Sequence, residues 1–161
     1  VILLTVGTQL PFDRLVEAVD RIAPELNEPV IAQMGKSKYI CRNIEAHENF
    51  GPVEFQEYLK TCSKIIAHAG IGTILNAQKN SKPIILVPRL AKFGEHRNDH
   101  QLATCRSLAS RSGIYVYDEP ALLTAHSVNT ATEPVLNSRD EPNRLMLMNS
   151  LRKVISEGVL F

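Results

Sequence analysis

Residues Ile66 to Ala77 read IAHAGIGTILNA. A strand-like run from Ser63 to Ala67 stops at His68, two glycines bracket Ile71, and Thr73 leads into a second apolar segment. The chain has only eight glycines, and a pair placed here marks a buried strand turning into a helix. That junction decides the fold. The next strand-like run, KPIILVP (Lys82–Pro88), follows the helix directly, and strand, helix, strand in that order is a parallel βα unit.

The same alternation continues outward. Val- and Ile-rich runs recur as VILLTV (Val1–Val6), PVIAQM (Pro29–Met34) and GIYVY (Gly113–Tyr117), and a helical stripe of Phe12, Leu15, Val16, Val19 and Ile22 lies between the first two. Several of these strands are apolar at consecutive positions, as a sheet covered on both faces requires. The expected fold is therefore α/β: a three-layer, doubly wound parallel sheet. Pro11 precedes the first helix, Gly51-Pro52 precedes EFQEYLK, Lys82-Pro83 follows the central helix, and Gly113 closes HQLATCRSLASR. A short strand is expected near Ile44–Ala46. Residues 127–142, SVNTATEPVLNSRDEP, read as a long loop. Segment 143–161 reads as a C-terminal helix with an apolar stripe at Leu145, Met148, Leu151, Ile155 and Val159, packing on its own sheet or docking a partner helix.

Composition narrows the function. At 161 residues the chain suits one well-cored domain, 1–161. A net charge of +1 with scattered Lys and Arg argues against a nucleic-acid partner. No run approaches the roughly 20 apolar residues that span a bilayer, and VILLTVG reads as a first core strand rather than a leader. Cys41, Cys62 and Cys105 are odd in number and lack CxxC spacing, which fits a reducing cytoplasm and suggests no zinc site.

In a doubly wound sheet, ligands sit beyond the carboxyl ends of the strands. HAGIGT lies at one such end. The helix N-terminus there offers unpaired N–H groups, and glycine lets a phosphate approach the backbone closely, so Gly70, Ile71, Gly72 and Thr73 are candidate diphosphate donors. The other reading is a tight turn with Thr73 capping the helix. TVGTQLPF places Gly7 and Thr8 at a second strand end, where they can face the first loop across an anion. Neither loop has P-loop spacing or a dinucleotide GxGxxG. FGEHRNDHQ (Phe93–Gln101) adds a polar cluster at a third strand end. It reads equally as a surface loop whose Asn98 or Asp99 caps the next helix. His96 and His100 have i, i+4 spacing but no third ligand, so no metal site is expected.

These motifs carry a resemblance. HAGIGTILNAQKNSKPIILVPR followed by NDHQ resembles the donor-binding C-terminal half of family 28 glycosyltransferases, a group that includes the peptidoglycan lipid II N-acetylglucosaminyltransferase. TVGTQLPFDRLV with GEHRNDHQ is similar to a single-domain branch of that group. The branch comprises the catalytic subunit of the two-subunit UDP-GlcNAc transferase of N-glycan assembly and bacterial exopolysaccharide subunits. The resemblance runs from Val1 to about Ala109.

It implies the Rossmann-like half of a GT-B enzyme that binds a UDP-sugar donor and needs no cofactor or metal. A membrane-anchored partner subunit would supply the other half and a lipid-linked saccharide acceptor, leaving this chain cytoplasmic and peripheral to the membrane. By position, Gly7 and Thr8 line the phosphate side, and His68, Ala69, Gly70, Ile71, Gly72 and Thr73 meet the diphosphate or sugar. Asp99, His100 and Gln101 reach the donor sugar, and His96 joins them as a substrate-binding residue. Asn76 stands where the family commonly has a ribose-binding Glu; as a neutral group it holds the ribose less firmly.

The implied reaction is inverting and metal-independent, since N–H groups at a helix end stabilise the leaving diphosphate. Its base belongs to the acceptor half. Within this chain His68 is the candidate base, with a structural or phosphate-contacting role as its other reading. Two other classes remain open at this point: a stand-alone nucleotide-sugar enzyme, and a binding or regulatory module without catalysis.

Overall fold

The computed structural model describes residues 1–135, 146, 149 and 151–153. Among them six strands, β1 (Ile2–Thr5), β2 (Val30–Gln33), β3 (Glu45–His47), β4 (Lys64–His68), β5 (Ile84–Val87) and β6 (Ile114–Val116), pair in the order β3-β2-β1-β4-β5-β6. Every pairing is parallel. The helices are α1 (Asp13–Ile22), α2 (Pro52–Thr61), α3 (Ile71–Lys79), α4 (His100–Leu108) and α5 (Ala125–Thr130).

Side-chain alternation sorts the apolar strands onto two cores. Leu3, Ile31, Ile65, Ala67, Ile84 and Leu86 face Leu59 of α2, Ile74 of α3 and Leu108 of α4. Their neighbours Ile2, Leu4, Val30, Ala32, Ile66 and Ile85 face Leu15, Val16 and Val19 of α1 and Val128 of α5. Each strand is thus apolar on both sides because each side meets a helical layer, and the three-layer, doubly wound expectation holds.

Three local expectations change. Residues 127–130, read as part of a loop, are the last four residues of α5. Its sequence, AHSVNT, has weak helix propensity, and the helix is held by its ends instead. Thr124 Oγ1 accepts from the Ser127 N–H and Ser127 Oγ accepts from the Thr124 N–H, both at 3.1 Å, a reciprocal cap. At the far end Lys64 of β4, buried in the sheet, donates Nζ to the carbonyls of Val128 (2.9 Å), Asn129 (3.3 Å) and Ala131 (3.4 Å). Gly113 does not close α4, which ends at Leu108; it leads into β6 at φ +75°, where a Cβ would lie 2.8 Å from Pro134. The N-cap of α3 is Gly70, so Thr73 sits inside the first turn and does not cap it.

Of the expected C-terminal helix, Met146, Asn149 and residues 151–153 are helical; the rest of 143–161 lies outside the described residues. Leu151 is buried in the core shared by β4, α2 and α3, as packing on its own sheet requires.

Replacing Lys64 by Met keeps the stem and removes the donor from three carbonyls. Urea denaturation is expected to show a loss of about 1.5–3 kcal/mol. The α5 amides should exchange faster while β1 stays protected; unchanged α5 protection would mean that the lysine is not what holds the helix.

Candidate functional site

β1 and β4 are neighbours, yet the chain leaves them in opposite directions: β1 leads through α1 to β2, and β4 through α3 to β5 on the other flank. Their following loops therefore part at the carboxyl edge and leave a crevice. Gly7 and Thr8 lie on one side of it, and Gly70 through Thr73 on the other.

His68, the last residue of β4, fills the gap between the two glycine loops. A Cβ on Gly7 would lie 3.2 Å from His68 Nε2, and a Cβ on Gly70 would lie 2.9 Å from Nε2 and closer still to Cε1. Gly7 also holds φ +75°, which L side chains rarely adopt. Behind Thr8 stands Gly35, after β2, whose Cβ would strike the Gly7 carbonyl oxygen. Both loop glycines around His68 thus have a steric reason to lack a side chain.

Gly72 has no such reason. It is exposed in the first turn of α3, and a Cβ there would meet nothing within 4 Å among the described residues. Alanine would favour the helix by about 1 kcal/mol, so neither packing nor helix stability accounts for this glycine. No side chain caps this end, which leaves the first N–H groups of α3 available to an incoming acceptor. Asn76 lies one turn beyond Gly72 on the same face, half-buried. Ala69 and Ile71 turn their side chains into the core, so each offers a ligand only backbone.

The third loop, between β5 and α4, is fastened to the first by Arg89. The buried guanidinium donates Nη1 to the carbonyls of Pro11 (2.7 Å) and Glu95 (3.3 Å), and Nη2 to those of Leu10 (2.9 Å) and Val6. Burial lowers its pKa to about 10, with Glu95 opposing, and it stays charged at neutral pH. Glu95, also buried, accepts from Arg14 Nε (2.7 Å) and Nη2 (2.8 Å) and from the Leu90 N–H (3.0 Å), binding the loop to α1. Arg14 in turn lies 4.0 Å from the ring centroid of Phe93.

Along this loop Asp99 Oδ1 accepts from the Ala91 N–H (2.9 Å), and Asn98 Oδ1 accepts from the His100 N–H (3.1 Å). His100 and Asp99 are exposed; His96 is half-buried and its Nδ1 accepts weakly from the Asn98 N–H. Gln101 is buried, with Oε1 3.0 Å from the Arg89 backbone N and Nε2 3.3 Å from His68 Nδ1. Among the sequence-predicted residues the structure therefore joins Gly7, His68, Gly70 and Gln101 directly, and sets Thr8, Gly72, Thr73 and Asn76 about the crevice. His96 and Asp99 stay on the neighbouring loop, and His100 opens α4 beyond it. Among the described residues no three His, Cys, Asp or Glu gather closely enough to hold a metal ion.

Residues 1–156 match the glycosyltransferase family 28 C-terminal domain. This chain belongs to that family. Among solved structures, this family 28 domain is similar to the glycotransferase of kitacinnamycin, at 17% identity over 94% of this chain and 38% of that one, TM-score 0.59. It is also similar to the spinosyn forosaminyltransferase SpnP (23%, 96% and 39%, TM-score 0.56) and to MurG of Acinetobacter baumannii (19%, 92% and 43%, TM-score 0.52). At these identities the likeness is one of fold, that of a Rossmann-like GT-B half, and the domain spans about two-fifths of those chains. No curated protein sequence matches it.

Sequence reading of the family 28 domain missed Arg89, Glu95, Arg14 and Gly35. The available signal was slight: an arginine directly after the Pro that ends a core strand, with a glutamate six residues on.

Burial, the Arg89 charge and then His96 lower the His68 pKa to about 3, from an ordinary value of 6.5. Between those values the unfolded chain binds a proton that the folded one does not. Stability is thus full above pH 6.5 and is lost as pH falls, with a slope approaching about 1.4 kcal/mol per pH unit from this residue. Chemical denaturation at pH 7, 6, 5 and 4 should show that slope in the native protein and a flatter one in His68→Gln. Equal slopes would place the histidine's pKa near its unfolded value.

Proposed function

We propose that this chain is the donor-binding, catalytic half of a glycosyltransferase that takes a UDP-sugar and passes the sugar to a lipid-linked acceptor, working with a membrane-anchored partner subunit. The observation that carries the reading is the crevice between β1 and β4. Two glycine loops, a helix N-terminus with uncapped N–H groups and an unexplained glycine at position 72 converge there, in a chain of the family 28 C-terminal domain. Uncapped N–H groups at a helix N-terminus beside glycine loops suit a diphosphate.

In this reading the diphosphate lies over Gly70–Thr73, opposite Gly7 and Thr8. Asn76 meets the ribose, His96, Asp99 and His100 face the sugar, and Gln101, expected there too, stands behind His68. The acceptor oxygen attacks the anomeric carbon, the carbon–oxygen bond to the diphosphate breaks with inversion, and UDP leaves carrying the electron pair. The acceptor hydroxyl proton goes to a base on the facing half. His68, neutral and set against the diphosphate, serves binding in preference to proton abstraction. The fixed N–H dipoles of α3 meet the charge that develops on the leaving group, without reorganisation and without a metal. Exposed Leu10 and Phe93, on the β1–α1 and β5–α4 loops, offer the partner apolar contact at the same edge. No helix among the described residues is long and apolar enough to cross a membrane; in this reading the partner presents the lipid.

Thermal shift and calorimetry with UDP, UDP-GlcNAc and GDP test this. Stabilisation should grow with UDP concentration, reaching about 2.7 kcal/mol at 100 times Kd, and should survive EDTA. Asn76→Glu should tighten UDP several-fold through a charge-assisted hydrogen bond to the ribose. No response to any nucleotide would leave a non-catalytic module, and unchanged UDP affinity in the variant would remove Asn76 from the ribose.

A further inference from the structure

The amide of Gln101 has only one workable orientation. Its Oε1 lies 3.0 Å from the Arg89 backbone N–H, a donor that needs an acceptor. Turning the amide over would set NH2 against N–H in a buried place. The end that meets His68 at 3.3 Å is therefore the NH2, and the atom it meets, Nδ1, has to accept. A neutral imidazole that accepts at Nδ1 carries its proton on Nε2. That nitrogen lies between Gly7 and Gly70 and has no hydrogen-bond partner among the described residues.

We propose that Gln101 is a positioning residue: read by the Arg89 backbone, it holds His68 in the Nε2–H tautomer, so that the imidazole presents a hydrogen-bond donor, and no lone pair, to the crevice between the glycine loops. Protonating Nδ1 would set its N–H against the glutamine NH2, and the charges of Arg89 and His96 act on the ring in the same direction. A glutamine carbonyl at Nδ1 would act the other way, but that oxygen is committed to Arg89. The tautomer is a property of the protein alone; that its N–H meets a phosphate oxygen rests on the nucleotide reading above.

The two parts have separate tests. Long-range 1H–15N NMR of the full chain at pH 7 should show His68 protonated at Nε2; protonation at Nδ1 overturns the inference, whether or not any variant folds. In Gln101→Glu one carboxylate oxygen still accepts from Arg89 N–H while the other accepts from Nδ1–H, so the tautomer should flip and the histidine pKa should rise. In Gln101→Met, which dictates neither form, a mixture is expected. A Gln101→Glu protein that is folded and still Nε2-protonated would overturn the role of the glutamine.

Calorimetry completes the test. A lone pair in place of a donor should weaken UDP and UDP-GlcNAc alike, by about tenfold, the loss of one hydrogen bond to a charged group. A loss confined to UDP-GlcNAc would make Gln101 a sugar contact and overturn the positioning role. Native protein with the expected tautomer but no affinity for either nucleotide would support the inference and overturn the nucleotide reading.

Discussion

The carboxyl edge of this domain is organised by one buried cation. Arg89 sends both terminal nitrogens into the β1–α1 loop, where the carbonyls of Val6, Leu10 and Pro11 receive them, and also reaches the Glu95 carbonyl of its own loop. Taking a guanidinium out of water costs several kcal/mol, which only a nearly complete set of acceptors can offset. The planar fork suits carbonyls arrayed around it, which a single ammonium point could not reach at once. The loop that carries Gly7 and Thr8 owes its shape to these bonds, and the backbone N–H of the same residue fixes Gln101. One position thereby sets the Gly7 wall of the crevice and the glutamine that contacts His68.

Glu95 makes the arrangement tolerable. It pairs with Arg14 and also moderates the effect of burial on Arg89, so two cations and one carboxylate share a site at the junction of α1 and the β5–α4 loop. The surrounding sheet supplies rigidity: β1, β4 and β5 are buried almost throughout, and their register leaves Thr5, Ala67 and Leu86 side by side just before the loops begin. The strand ends are thus fixed by apolar packing and the loops by charge, and neither source would suffice alone.

Sequence made the scaffold readable because its signals are local. Continuous apolar runs, Pro and Gly at the junctions and helical spacing in α1 all act within a few residues of where they are seen. The glycine loops were readable for the same reason. Arg89, Glu95 and Gly35 were not, since each has its role only through residues far along the chain, such as Gly35 against Gly7 and Glu95 against Arg14. α5 escaped similarly: its C-terminal cap is a lysine of β4, more than sixty residues away, and its own composition speaks for a loop. Gln101 was legible as a site residue from its motif, but the direction of its amide depends on a backbone N–H twelve residues earlier.

The separation of 83 residues between Arg89 and Val6 bears on how the domain is made. During synthesis the Gly7 loop emerges before β2, β4 and β5, and the residue that fastens it follows only after all three. Until β5 has docked beside β4, the loop after β1 has no guanidinium to close on, and His68 has no glutamine to orient it. The crevice is a product of the finished sheet, so its shape arises in one step with β5 and α4 rather than accumulating as each glycine loop folds.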